Sequence, residues 1–203
     1  MTDDLERRLS APATPGLDVE ELRRVLARRA AEDGLLDVAY GTYESPLGSL
    51  TVFVTPRGLV RLSYPGEPVD AQLDELAALV SPRVMSAPER TDEVRRQLDG
   101  YFAGARRDFE VPVDWRLLRG FRADVLRATS HIPFGSVASY REIAAAAGSP
   151  KAYRAAGNAL GSNPVPIVVP CHRVVHAGGG LGGYTGGLER KRFLLQLEGV
   201  LDQ

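Results

Sequence analysis

The hydrophobic period changes along this chain, and that change restricts its fold more than any other feature. From Asp37 onward Val38, Tyr40 and Tyr43 lead to a turn at Pro46–Gly48, and Leu50, Val52 and Val54 alternate beyond it. A second turn at Pro56–Gly58 precedes Leu59 to Tyr64. A period of two belongs to strands with one buried face, so this stretch predicts an antiparallel meander of about three strands. After Tyr64 the period becomes helical. Asp70 to Val80 carries Leu73, Leu76, Ala77 and Val80 on one face; Thr91 to Phe102 carries Val94, Leu98, Tyr101 and Phe102, with Thr91 as N-cap. Ahead of the meander, Ser10–Gly16 is a Pro/Ala lead-in. Asp18 to Glu32 then reads as a short amphipathic helix with Val19, Leu22, Val25 and Leu26, a basic face including Arg29, and Gly34 as its end. Arg106 to Trp115, with Pro112 inside it, reads as a linker.

The second half predicts mostly helix. One helix runs from Leu117 to Ser130 and stops before Pro133 and Gly135. Ser139-Tyr140-Arg141-Glu142 fits a capping box, in which the serine hydroxyl and the glutamate carboxylate satisfy each other's orphan amides. The short helix it opens ends at Gly148, and Ser149-Pro150 starts another that runs to Gly161. Two short helices joined by a tight Gly-containing turn make a helix-turn-helix pattern. The second carries Lys151 and Arg154 beside small residues (Ala155, Ala156, Gly157, Ala159), so it can approach another backbone closely. Beyond it lie Asn163-Pro164-Val165-Pro166, the apolar run Ile167–Val169, a Gly-rich loop from Gly178 to Gly187 around Tyr184, and a last helix, Leu188–Glu198, capped by Gly199.

Composition removes several function classes. There is one cysteine, Cys171, so no disulfide forms within the chain and a multi-cysteine zinc site is excluded. His172 and His176 have a spacing that some zinc sites use, but Pro170, Val174 and Val175 argue against a helix there; no metal is expected. No apolar run approaches the roughly 20 residues of a membrane span, and Met1–Leu9 lacks the apolar core of a signal peptide. A cytoplasmic protein is the expectation. The formal charge of −1 divides into −7 before Arg116 and +6 from Arg116 onward. That asymmetry points to a polyanion as partner of the C-terminal half.

Cys171 beside His172, with Glu198 further on, supplies the parts needed to activate a thiol. Only the thiolate attacks, so a base or positive surroundings must favour ionisation. Neighbouring side chains on an extended segment point apart, so this pair needs a bent backbone or a bridging water, and Pro170 makes departure from regular structure plausible. Read singly, Tyr140 could be a packed aromatic, Arg154 a solvated charge, Asn163 a turn former and Glu198 a surface carboxylate.

The string Pro164-Val165-Pro166-Ile167-Val168-Val169-Pro170-Cys171-His172-Arg173-Val174-Val175 resembles the signature of the O6-alkylguanine-DNA alkyltransferases. The likeness extends to Ser139-Tyr140-Arg141, Arg154-Ala155-Ala156-Gly157, Gly183-Tyr184-Thr185-Gly186-Gly187 and Glu198-Gly199, and more loosely back to Asp37. It implies an α/β chain: a ribonuclease H-like N-terminal domain with a small antiparallel sheet (35–110), and a mostly helical C-terminal domain with a helix-turn-helix and a short wing (116–203). Residues 1–34 form an extension outside the resemblance, and their function is not readable. The implied reaction moves an alkyl group from O6 of guanine in duplex DNA onto Cys171, once and irreversibly, with no cofactor. His172 acts as base through a water, oriented by Glu198. Tyr140 donates to N3 of the leaving purine, and Asn163 holds the turn between recognition helix and active-site strand. Arg154 replaces the flipped nucleotide, with Ser139, Lys151, Ala155 and Gly157 along the DNA. Carbonyls of Cys171 and Val174 accept from the exocyclic amine, and Tyr184–Thr185 closes the pocket. The N-terminal part has neither cysteine nor histidine, so the zinc of some relatives is not expected. A monomer is expected. A lesion-binding protein without transfer and a helix-turn-helix regulator with a structural cysteine are the other readings of this chain.

Overall fold

The computed structural model describes residues 18–202. Helix α1 (Val19–Glu32) precedes strands β1 (Val38–Ser45), β2 (Gly48–Thr55) and β3 (Gly58–Ser63), helix α2 (Val69–Leu79), strand β4 (Val84–Ser86) and helix α3 (Asp92–Phe102). The three expected strands pair antiparallel, with Ala39 opposite Val54 and Gly41 opposite Val52. The sheet order is β3-β2-β1-β4, and β4 runs parallel to β1. That fourth strand, three residues in a Pro-flanked stretch, makes the sheet mixed rather than purely antiparallel.

Both faces of the sheet are covered, which places its centre in the interior. Leu50 and Val52 face the main core, while Phe53 packs with Val38, Val60 and Leu76 of α2 on the other side. Each such side chain contributes roughly 1.5–3 kcal/mol through burial. Thr91 precedes α3 but does not cap it with its side chain. Its hydroxyl turns back to donate to the Pro88 carbonyl at 2.6 Å and closes a short 3₁₀ turn, Pro88–Thr91. Nor does the whole predicted linker run free. Leu59 N donates to Pro112 O and Asp114 N to Leu59 O, both at 2.8 Å, so 112–114 lies along the outer edge of β3.

The apolar side of α1 does not meet the core. Val19, Leu22, Val25 and Leu26 are 49–59% exposed, while Ala27 is fully buried. A face of small residues is what lets this helix approach the sheet near β4.

The second half contains α4 (Gly120–Ser130), β5 (Ala138–Ser139), α5 (Tyr140–Ala146), α6 (Tyr153–Gly161), β6 (Val174–Val175) and α7 (Leu188–Leu197). α4 starts three residues later than expected, because Asp114 caps a separate 3₁₀ turn, Trp115–Leu117. The capping box forms: Glu142 N donates to Ser139 Oγ at 3.2 Å, and Ser139 N to the Glu142 carboxylate at 2.6 Å. Ser149-Pro150 does not open α6. Ala152 N donates to Ser149 O at 2.9 Å, a four-residue turn with proline at its second position, and the helix begins only after it. β5 and β6 pair in parallel over two residues. One core runs through both halves, from Leu62, Tyr64 and Tyr101 to Val165, Ile167, Cys171 and Leu194. The halves are also tied by backbone, since Leu62 N donates to Pro164 O at 2.8 Å.

Candidate active site

The segment after α6 is a tight turn where a strand was expected. Val169 N returns to Val165 O at 2.9 Å, and Ile167 takes φ +71°, a conformation that a β-branched residue rarely adopts. Asn163 holds this turn from inside. Its Oδ1 accepts from Val165 N at 3.0 Å, and its Nδ2 donates to Val169 O at 2.8 Å and to Cys171 Sγ at 3.1 Å. Backbone strain of about 1–3 kcal/mol persists only where the surroundings over-determine it, and this asparagine together with the buried Ile167 side chain does so. Cys171 then opens a 3₁₀ turn, Cys171–Arg173. The turn bends the backbone at the adjacent Cys171 and His172, yet His172 Nδ1 makes no hydrogen bond to the sulfur.

Cys171 is 7% exposed. Burial pushes its thiol up to about 11, against the opposing effects of the Asn163 amide, the Lys191 ammonium and the Tyr184 hydroxyl. His172 is fully buried, with Nε2 2.9 Å from Glu198 Oε1 and Nδ1 without a protein partner among the described residues. Burial holds its imidazolium below the ordinary value, and Glu198 only partly offsets this. Glu198 accepts from more than the histidine. Arg173 donates to both carboxylate oxygens, Nε at 2.8 Å and Nη2 at 2.9 Å, and Tyr101 donates its hydroxyl at 2.6 Å. Burial alone would raise the carboxyl, but the donors from His172, Arg173 and Tyr101 win and hold it at about 2.

Tyr140 begins α5 and lines a pocket of about 390 Å³ with Gly157, Leu160, Gly161, Cys171, Gly183, Tyr184 and Thr185. Burial raises its phenol, as does the nearby Cys171. Gly182, at φ +71°, comes so close that a Cβ there would stand 2.5 Å from the Tyr140 hydroxyl. Thr185 Oγ1 donates to Gly161 O, which joins the Gly-rich loop to the end of α6. Tyr184 shares a hydrogen bond of 2.6 Å with Tyr64 at the end of β3. The Val174 carbonyl already accepts from the ammonium of Lys191, which also donates to Leu181 O. That leaves one lone pair on Val174 O for a ligand. Lys191 is fully buried, and burial brings it down to about 8.

The remaining sequence candidates lie on the adjoining surface. Arg154 is exposed in the first turn of α6, its guanidinium 5.8 Å from the Tyr153 ring centroid. Lys151 and Ala155 are exposed, Ser139 caps α5, and Gly157 faces the Tyr140 ring. Sequence reasoning passed over Tyr101, Arg173, Lys191 and Tyr64. Of these only Arg173 had a signal, its place in the Cys171 string. Among the described residues no three His, Cys, Asp or Glu side chains converge as a metal site would require, and no helix is long and apolar enough to cross a membrane.

Residues 38–115 match the ribonuclease-like domain of 6-O-methylguanine DNA methyltransferase, and residues 120–200 match its DNA binding domain. The chain belongs to the methylated-DNA–protein-cysteine methyltransferase family. Within this methyltransferase family it is 42% identical over 168 residues to the Mycolicibacterium paratuberculosis protein, covering 79% of this chain and 92% of the relative. It is 38% identical over 164 residues to the human methyltransferase, covering 78% and 79%. A crystal structure of Mycobacterium tuberculosis OGT in complex with DNA has 40% identity and a TM-score of 0.67, covering 79% of this chain and 92% of that one.

Proposed function

We infer that this protein repairs DNA by direct transfer of an alkyl group from O6 of guanine to Cys171, one group per molecule. The observation that carries this reading is the position of Cys171. Its sulfur accepts from Asn163 and stands in the wall of a base-sized pocket opposite Tyr140, beside the buried His172–Glu198 pair. His172 takes the thiol proton through a water at Nδ1, and Glu198 stabilises the imidazolium, the base-and-orienter logic of a triad. Asn163 and Lys191 offset the cost of a buried thiolate. Tyr140 neutralises the departing purine anion. The S–C bond forms as the C–O6 bond breaks, and the product is a thioether that water does not cleave.

The helix pair α5–α6, read as a helix-turn-helix, carries the DNA contacts. Lys151 and Arg154 meet the polyanion while Ser139, Ala155 and Gly157 allow close backbone approach. Arg154 fills the stack as the lesion is flipped into the pocket, at a cost of a few kcal/mol. The units 35–110 and 116–203 work together within one chain, which acts as a monomer. A thiol that must stay reduced suits the cytoplasm.

The test is transfer of radiolabel from O6-methylguanine duplex to protein, with intact mass read at completion. One added methyl on the Cys171 peptide is expected. Binding of the lesion without label transfer would favour a recognition protein instead. Continued turnover under excess substrate would point to a hydrolytic use of the Cys-His-Glu set.

A further inference from the structure

Arg154, the residue read above as the wedge, leans on its own neighbour. Its guanidinium lies 5.8 Å from the Tyr153 ring centroid, within the roughly 6 Å over which a ring face attracts a cation. Consecutive helix residues do not face each other, so their spacing alone does not produce this contact. Tyr153 is itself fixed. Its ring is half-buried and packs against the core that joins the two halves, and the Arg141 guanidinium of α5 lies 5.4 Å from its centroid. Arg141, Tyr153 and Arg154 line a cavity of about 610 Å³ together with Tyr140, Gly157 and His176. Tyr140 and Gly157 also line the base-sized pocket, so the Tyr153–Arg154 pair stands beside the way into it. Among the described residues no carboxylate pairs with Arg154.

Resting on the repair reading above, we propose that Tyr153 is a positioning residue for Arg154: its ring holds the guanidinium beside the pocket entrance, ready to fill the stack as the lesion leaves it. An arginine side chain has much rotamer freedom to lose when it enters a fixed place. Lodging it beforehand on a ring removes part of that loss from the flipping step. A carboxylate could hold the guanidinium as well, but it would cancel the charge that a polyanion needs and would repel phosphate. A neutral ring holds the cation and leaves its charge whole. The core contacts and Arg141 keep the ring from swinging away with its load. Tyr153 touches no reacting atom and acts through Arg154.

The experiment reads single-turnover transfer from O6-methylguanine in duplex and in single-stranded oligonucleotides, and takes the ratio of the two rates. It compares the native chain with Tyr153→Phe, which keeps the ring, and Tyr153→Leu, which keeps apolar packing without a π face. Tyr153→Leu lowers the ratio about two- to five-fold, the worth of an exposed cation–π contact, and Tyr153→Phe retains it. Adding Tyr153→Leu to Arg154→Ala changes the ratio no further, because the ring acts only through that guanidinium. The salt slope of duplex binding stays native in Tyr153→Leu, since no charge is removed. A Tyr153→Leu loss that persists beside Arg154→Ala, an equal loss on single strands, or no loss at all would overturn the proposal. So would coupling of Tyr153→Leu to Arg141→Ala in place of Arg154→Ala, which would make the ring a brace between α5 and α6. A native ratio in Arg154→Ala alone would instead overturn the wedge reading on which the proposal rests.

Discussion

The Tyr101 hydroxyl donates to Glu198 at 2.6 Å, across 97 residues of sequence and from one half of the fold to the other. Both side chains are buried, so the carboxylate hydrogen-bonded to His172 is held in part by a helix of the N-terminal half. Tyr101→Phe removes one donor from a charged acceptor and should lower unfolding free energy by about 1.5–3 kcal/mol. With fewer donors Glu198 attracts the imidazolium more strongly. The acid limb of the transfer rate should therefore move to higher pH. Urea unfolding and a pH–rate series check the two effects, and an unmoved profile would reduce Tyr101 to packing.

His172→Gln addresses the relay. The Cys171 thiol lies at about 11, so unaided attack depends on a minor thiolate population. Burial keeps the native imidazole neutral near pH 7 and available as base. Native transfer should be almost flat from about pH 7 to 9, whereas the variant should gain about ten-fold per pH unit. Two flat profiles would remove His172 from proton transfer.

Arg173→Met leaves Glu198 without its bidentate partner. Breaking a buried ion pair from one side costs about 3–5 kcal/mol, visible as a lower urea midpoint. The pH sign follows from Glu198, whose folded value of about 2 lies below the ordinary carboxyl value. Its contribution is present above that ordinary value and is lost as pH falls towards 2. The variant should lose much of this acid window, and an unchanged pH–stability curve would contradict the assignment.

Gly186→Ala tests the joint between Tyr64 and Tyr184. A Cβ there meets a Tyr64 ring carbon at 2.6 Å and a Tyr184 ring carbon at 2.8 Å. Overpacking should cost about 1–3 kcal/mol and should slow transfer more than DNA binding. Equal losses in both would mean that the joint serves the whole fold and not the pocket.

Arg154→Ala should weaken duplex binding and flatten its salt dependence by about 0.9 in log K against log salt. If Arg154 is the proposed wedge, repair in duplex should fall further than binding does. Single-stranded substrate should be spared. A parallel loss on single strands would count against the wedge.

That Asn163, Cys171, His172 and Glu198 come together was legible because Asn163, Cys171 and His172 are close in sequence and Glu198-Gly199 is a separate part of the same family likeness. The supports around them were not. Tyr101 and Lys191 sit on ordinary amphipathic helices, and only the folded chain brings a phenol to Glu198 and an ammonium to the Val174 carbonyl. Capping chemistry was read correctly where the partner lay three residues away, as at Ser139–Glu142. It misled at Ser149-Pro150, because the same residues also begin a turn, and at Thr91, whose hydroxyl had a nearer carbonyl. Strand β4 escaped because three residues carry no period. In α1 amphipathicity predicts a helix but not which side packs: Val19, Leu22, Val25 and Leu26 stay exposed and Ala27 is buried.

Tyr64 and Tyr101 carry hydroxyls from the N-terminal half to Tyr184 and Glu198. The half that holds the cysteine is thus an unfinished instrument, with Tyr184 and Glu198 fastened to a neighbour. Separate inheritance of the halves would demand co-adapted tyrosine contacts at both joints. Grafting residues 116–203 onto a foreign partner should transplant the nucleophile without its tuning, so exchange between relatives is feasible only as a matched set.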